Sequence, residues 1–284
     1  MSTGTATATA PSATTTATTA PQNTLAADSL ALLGRQLQRV RRNPALLIMT
    51  QAMPVMLLLF FGYVFGNSVT LPGGADYRTY LVPGVFVITA AGGLVTGMLQ
   101  AAGDSQRGVM DRLRTLPVSR AAAPLGQATA DVLLFAIGMI PLVAVGYAVG
   151  WRIEGGFGPA VGAFGLLLLL RFATAWIGIL LGMKLGSEEA AGQLGSVTFI
   201  VQLLCNAYVP TGGMPGWLQA VVEWNPLSSF VTACRDLFGN ATPGAADAAW
   251  VIEHPVIASL GWSVLLLAIF MPLAVRRYAH PAEG

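Results

Sequence analysis

The chain has 284 residues, 54% of them hydrophobic and only 10% charged, with a mean hydropathy of +0.65. A soluble domain carries about a quarter charged residues, so these figures argue against a soluble enzyme or nucleic-acid binder and for a polytopic membrane protein. Among the 15 basic residues the one lysine, Lys184, stands between Met183 and Leu185; no GxxxxGK[ST] phosphate loop exists, so any ATP-driven step needs a second polypeptide.

Residues 1–28 are mostly Thr, Ala, Ser and Pro with no apolar run and no charge before Asp28, the composition of a disordered polar tail. They lack the basic start and apolar stretch of a signal peptide. Over 29–43 the period becomes helical. Leu30, Leu33, Leu37 and Val40 form one face and Arg35, Arg39 and Arg42 another. An apolar stripe beside an arginine stripe suits an amphipathic helix on the membrane surface, with a solvated helix as the alternative.

Six stretches are then long enough, at about 20 residues or more each, to cross about 30 Å of hydrocarbon: 44–66, 81–102, 122–149, 159–183, 190–209 and 256–275. The region 210–255 is apolar only in pieces. Pro210, Gly212, Gly213, Pro215 and Gly216 interrupt it, and Trp217–Trp224 and Ser228–Phe238 read as short external helices with Trp217 and Trp224 as interfacial anchors.

The cations orient these spans. With both termini in the cytoplasm, the inner loops hold Arg35, Arg39, Arg41, Arg42, Arg107, Arg112, Arg114, Arg120, Lys184, Arg276 and Arg277. Only Arg78, Arg152 and Arg235 then fall outside, and Arg171 lies within a span. That asymmetry is the positive-inside pattern. The expected fold is an all-α membrane protein of six transmembrane helices over 44–277, N-in and C-in, with 278–284 as a cytoplasmic tail.

No nucleophile elbow, HExxH or GxGxxG precedes a suitable element, and two cysteines and two histidines cannot build a metal site, so no catalytic or metal-binding residue is expected. Polar residues within spans are the informative ones. Thr198, Gln202 and Asn206 recur every four residues and share a helix face; Thr89, Gly93, Thr96 and Gln100 do likewise on span two. Either stripe can line a route or bond neighbouring helices. Asp131 lies 11 residues past Arg120, about 16 Å, and Arg171 13 residues before Lys184, about 20 Å, so the two form an intramembrane charge pair or face water separately. Gly62-x-x-x-Gly66 and Gly178-x-x-x-Gly182-x-x-x-Gly186 permit close helix contact within the subunit or across a dimer.

The loop after span two, Gly108-x-x-Asp111-Arg112-Leu113-Arg114-x-Leu116-Pro117-Val118-Ser119-Arg120, alternates charge with leucine and stops at a proline. It resembles the cytoplasmic motif of ABC-2 type exporter permeases, most closely the daunorubicin-resistance branch. Val209-Pro210, Met214-Pro215-x-Trp217-Leu218, Glu223-x-Asn225-Pro226-Leu227 and Arg235-Asp236-Leu237 resemble the external segment of that family. The similarity runs from about residue 30 to 277.

The resemblance implies an exporter of two permease subunits, identical or homologous, and two separate ABC ATPase subunits that bind ATP and Mg; this chain binds neither. Arg107, Asp111, Arg112, Leu113, Arg114 and Pro117 match the ATPase-coupling loop. The helix carrying Arg35, Arg39 and Arg42 would lie on lipid near the ATPase. Spans one, two and five border the family's route, which places Thr89, Thr96, Gln100, Thr198, Gln202 and Asn206 along it. The implied activity is export, across the plasma (inner) membrane, of a hydrophobic or amphiphilic drug, lipid or glycolipid, with no nucleic-acid partner. An ion-coupled secondary transporter using Asp131, or a non-transporting scaffold recruiting a soluble partner, are the alternatives.

Overall fold

The computed structural model describes residues 44–66, 71, 74, 76–108, 121–240 and 248–279. The interfacial segment with Arg35, Arg39 and Arg42, and the loop residues Asp111, Arg112, Leu113, Arg114 and Pro117, lie outside them. All regular structure among the described residues is helical: α1 (Pro44–Val64), α2 (Tyr77–Ala91), α3 (Gly93–Gln106), α4 (Ala122–Val149), α5 (Phe157–Leu185), α6 (Glu188–Leu203), α7 (Gly216–Glu223), α8 (Pro226–Phe238), α9 (Trp250–Glu253) and α10 (Pro255–Ala279), with one 3-10 turn at Thr211–Gly213.

Local chemistry sets the helix ends. Asp76, Ser187 and Asn225 each accept a backbone N–H from the first turn of α2, α6 and α8, and Glu188 and Glu189 place negative charge at the start of α6. Pro226 opens α8, where a missing N–H costs nothing. Gly239 ends α8 in the left-handed region at φ +75°, and it is pressed against Gly155, so no side chain fits there.

Tyr77–Gln106, Ala123–Val149, Phe157–Leu185 and Pro255–Tyr278 are each long and apolar enough to cross a membrane. Two expected spans differ from their sequence boundaries. Span two is two helices broken at Gly92. Span five stops at Leu203, not 209: its 16 residues rise about 24 Å, short of the hydrocarbon thickness. Residues 204–210 leave the helix, and α8 begins beside them, where Asn225 Nδ2 donates to the carbonyls of Val201 (3.3 Å) and Leu204 (2.6 Å). The far end of α8 meets the start of α5, because Glu154 and Gly155 donate to the Phe238 carbonyl at 2.8 and 2.9 Å. End to end, α6 and α8 therefore match the unbroken α5.

Helix α5 is the centre, packed on α2, α3, α4, α6, α8 and α10. Its contact with α3 is backbone on backbone. A Cβ at Gly93 would lie 2.8 Å from the Arg171 carbonyl and one at Gly97 2.7 Å from that of Ala175. Cβ atoms at Gly178 and Gly182 would land on the carbonyls of Leu94 and Met98. The small-residue repeat of α5 is thus spent within the chain.

One apolar core, around Tyr80, Phe86, Trp151, Phe230 and Phe238, ties α2 and α8 to the α4–α5 loop. A second, around Trp176, Ala274 and Tyr278, joins α5 to α10. Trp217 and Trp224 are 72% and 57% exposed on one side of α7.

Candidate functional site

Four polar groups meet where span two breaks. Arg171 on α5 donates from Nε to Asp131 Oδ2 at 2.6 Å and from Nη2 to Oδ1 at 2.7 Å, a two-pronged ion pair with α4. The same Nη2 reaches Thr96 Oγ1 at 2.9 Å, whose hydroxyl lies 3.0 Å from Asp131 Oδ1 and donates to it. Nη1 donates to the Thr89 carbonyl at 3.2 Å, and the guanidinium lies 5.3 Å from the Phe135 ring centroid. Arg171 therefore bonds α2 above Gly92, α3 below it, and α4 across the bundle. Asp131 and Arg171 are only 4% and 8% exposed, so each charge is compensated by groups of the chain itself.

A second polar cluster holds the non-helical stretch after α6. The fully buried Arg235 donates from Nε to the Tyr80 carbonyl (2.9 Å) and from Nη2 to the carbonyls of Asn206 (2.9 Å) and Ala207 (3.1 Å). Tyr80 and Tyr77 donate their hydroxyls to the carbonyls of Asn206 (2.7 Å) and Tyr208 (3.0 Å). Backbone outside a helix survives at membrane depth only when buried and bonded in this way. Sequence reasoning placed Arg235 in an external segment and passed over Tyr77 and Tyr80. The available signal is an arginine on a short helix that also carries Phe230, Val231, Leu237 and Phe238.

At the opposite end, Arg107 closes α3 and pairs with Glu188, the first residue of α6, at 2.7 Å; both are exposed. This contact joins the start of the expected coupling loop to span five.

The polar stripes separate. Asn206 lies beyond the end of α6 and not on the face of Thr198 and Gln202: its Nδ2 donates to Thr232 Oγ1 at 3.0 Å, and its backbone N to Ser228 Oγ at 3.2 Å. The break at Leu203 is the physical reason for this correction. Thr89 and Thr96 bond the Arg171 cluster, and Gln202 is buried. Thr198 is partly exposed with its hydroxyl bonded to the Gly195 carbonyl, and Gln100 is exposed. No group of histidine, cysteine or acidic residues able to hold a metal occurs among the described residues.

The chain matches the ABC-2 type transporter family over residues 28–238. It is 32% identical over 253 residues to the daunorubicin resistance ABC transporter permease protein DrrB1 of Streptomyces coeruleorubidus, covering 89% of this chain and 86% of that protein. It is 24% identical over 254 residues to the probable doxorubicin resistance ABC transporter permease protein DrrC of Mycobacterium tuberculosis, covering 88% and 87% of the two chains. A putative transport permease, ycf38 of Cyanophora paradoxa, is 25% identical over 246 residues, covering 84% and 83%. The long apolar helices and these similarities together make the chain a multi-pass membrane protein that belongs to the ABC-2 type transporter family.

Proposed function

We propose that the chain is the membrane subunit of an ABC exporter that moves a hydrophobic or amphiphilic molecule outward, powered by a separate ATPase. The observation that carries this reading is the near full-length similarity to a drug-resistance permease, in a chain whose lone lysine rules out a phosphate loop. Two copies of the ATPase would act with two permease subunits. The chain crosses the membrane six times with both termini inside, the fifth crossing being made by α6 and α8 together. The helix with Arg35, Arg39 and Arg42 lies on the inner surface, and the loop carrying Arg107, Asp111, Arg112, Leu113, Arg114 and Pro117 docks on the ATPase. Lys184, Arg276 and Arg277 stand at the Arg107 end of the bundle, which supports that end as the inner one.

Gln100, the exposed member of the polar stripes, and Thr198, partly exposed, border the route. Thr89, Thr96, Gln202 and Asn206 shape it from behind. Asp131 has both carboxylate oxygens committed to Arg171, a poor arrangement for a carboxylate that must cycle protons.

The test is reconstitution of the chain with an ABC ATPase that copurifies with it, and measurement of daunorubicin movement across proteoliposomes. ATP-dependent transport requiring both chains is expected. Transport driven by a proton gradient without the ATPase, or a stable complex that moves no daunorubicin, lipid or glycolipid, would overturn the reading.

A further inference from the structure

The stretch Leu204–Val209 contains no proline or glycine, and its residues continue the apolar run of α6 up to Pro210. No residue of the stretch forbids a helix, although Cys205, Asn206, Tyr208 and Val209 are among the weaker helix formers, and the chain turns away at Leu204. What holds it out of the helix is a set of side chains from three directions. Asn225, at the start of α8, takes the carbonyls of Val201 and Leu204. Tyr80 and Tyr77 of α2 take those of Asn206 and Tyr208. Arg235 of α8 takes those of Asn206 and Ala207. The backbone carbonyls a winding helix must expose or bond internally are thus already bonded, one by one, to side chains.

A segment whose carbonyls can be bonded either by side chains, as here, or within a helix can serve as a bistable element. We infer that residues 204–209 are a winding switch: in a second state of the protein they coil onto α6 as Asn225, Tyr77, Tyr80 and Arg235 let go. Length gives the switch a consequence. As observed, α6 rises about 24 Å over its 16 residues; six more would add about 9 Å and bring it to the hydrocarbon thickness. Winding also draws α8 away from the end of α6, because the Asn225 bonds occupy the carbonyls that the new turn needs. The device would change the outer half of span five, leaving its Arg107–Glu188 end in place.

The two cysteines supply the probe. Cys234 lies in the middle of α8 and Cys205 in the break, so selective 13C-cysteine labelling of the full chain in lipid nanodiscs gives one helical reference signal and one reporter. The wild type is expected to show Cys205 with a predominantly non-helical Cα shift. In Tyr77→Phe/Tyr80→Phe, and separately in Asn225→Ala, a helical Cys205 signal should grow to at least about a tenth of the intensity while Cys234 stays unchanged. In Ala207→Gly, which weakens the wound helix, that signal should shrink again when combined with Asn225→Ala. A single non-helical Cys205 signal in every variant overturns the switch and makes the break permanent. Movement of both signals together also overturns it, because it shows general loosening of the region. Neither ATP nor a transported molecule enters the experiment, so its failure leaves the export reading untouched.

Discussion

The guanidinium carbon of Arg235 lies 3.4 Å from the centroid of the Tyr80 ring, and Arg235 also donates to the carbonyl of that same residue at 2.9 Å. One side chain thereby grips α2 by ring and backbone while its other nitrogen closes the carbonyls of Asn206 and Ala207. A lysine brings a charge but one nitrogen only, which cannot take both the Nε position facing the Tyr80 carbonyl and the Nη2 position facing Asn206 and Ala207. Arg235→Lys should lower stability by about 1–3 kcal/mol, the cost of buried acceptors left open, in an SDS titration followed by tryptophan fluorescence. Tyr80→Phe should lose only about 0.5–1.5 kcal/mol, because Arg235 still serves the Asn206 carbonyl. Equal losses in the two variants would contradict this division of labour.

The Asp131–Arg171 pair predicts that the double substitution costs less than either single one. Removing one partner strands a buried charge, so Asp131→Leu and Arg171→Met should each cost about 3–5 kcal/mol. The double variant has no charge to strand and should recover most of that loss, though Thr96 and the Thr89 carbonyl lose their donor. The same SDS titration reads all three. Additive losses would mean that the two charges do not depend on each other.

Much of this was legible in sequence, and the failures have physical causes. The spans over α4, α5 and α10 follow from long apolar runs with glycine or charge at the ends. Depth arithmetic from Arg120 and Lys184 brought Asp131 and Arg171 to similar levels, and the structure has them in contact. That Thr96 joins them depends on how closely α3 approaches α5, and this is set by four glycines on two helices far apart in sequence. The break at Leu203 is hard to read locally because no glycine or proline marks it before Pro210. The residues that pull 204–208 out of the helix are Tyr77, Tyr80, Asn225 and Arg235, none of them within α6, and a reading of local period cannot see a distant donor. Asn206 was placed on a helix face for that reason.

The α3–α5 contact separates glycines that are needed from glycines that are merely present. At Gly178 a methyl group would meet the Leu94 backbone, which cannot swing aside as a side chain can. Gly178→Ala should cost about 1–3 kcal/mol or more, as overpacking does. Gly165, on the same helix, has nothing within 4 Å of an added Cβ, so Gly165→Ala should be neutral or stabilising by up to about 1 kcal/mol. Thermal unfolding of the two variants side by side should place Gly178→Ala below the wild type and Gly165→Ala at or above it.

The exposed Arg107–Glu188 pair should matter for communication and little for stability. Its side chains are 67% and 46% exposed, and such pairs contribute about 0.2–1 kcal/mol and weaken with salt. Glu188→Gln should therefore unfold within about 1 kcal/mol of the wild type. The pair nonetheless joins the residue that opens the proposed docking loop to the first residue of α6, so its loss should loosen the link between ATPase and span five. In the reconstituted complex, Glu188→Gln is expected to keep ATP hydrolysis while lowering the number of daunorubicin molecules moved per ATP. Arg107→Glu should do the same, and the swapped double variant Arg107→Glu/Glu188→Arg should restore the ratio. By contrast, Arg112→Glu/Arg114→Glu, within the loop itself, should weaken ATPase binding and lower hydrolysis together with transport. If the Arg107 and Glu188 variants and the loop variant behave alike, the pair has no separate role and belongs to the docking surface.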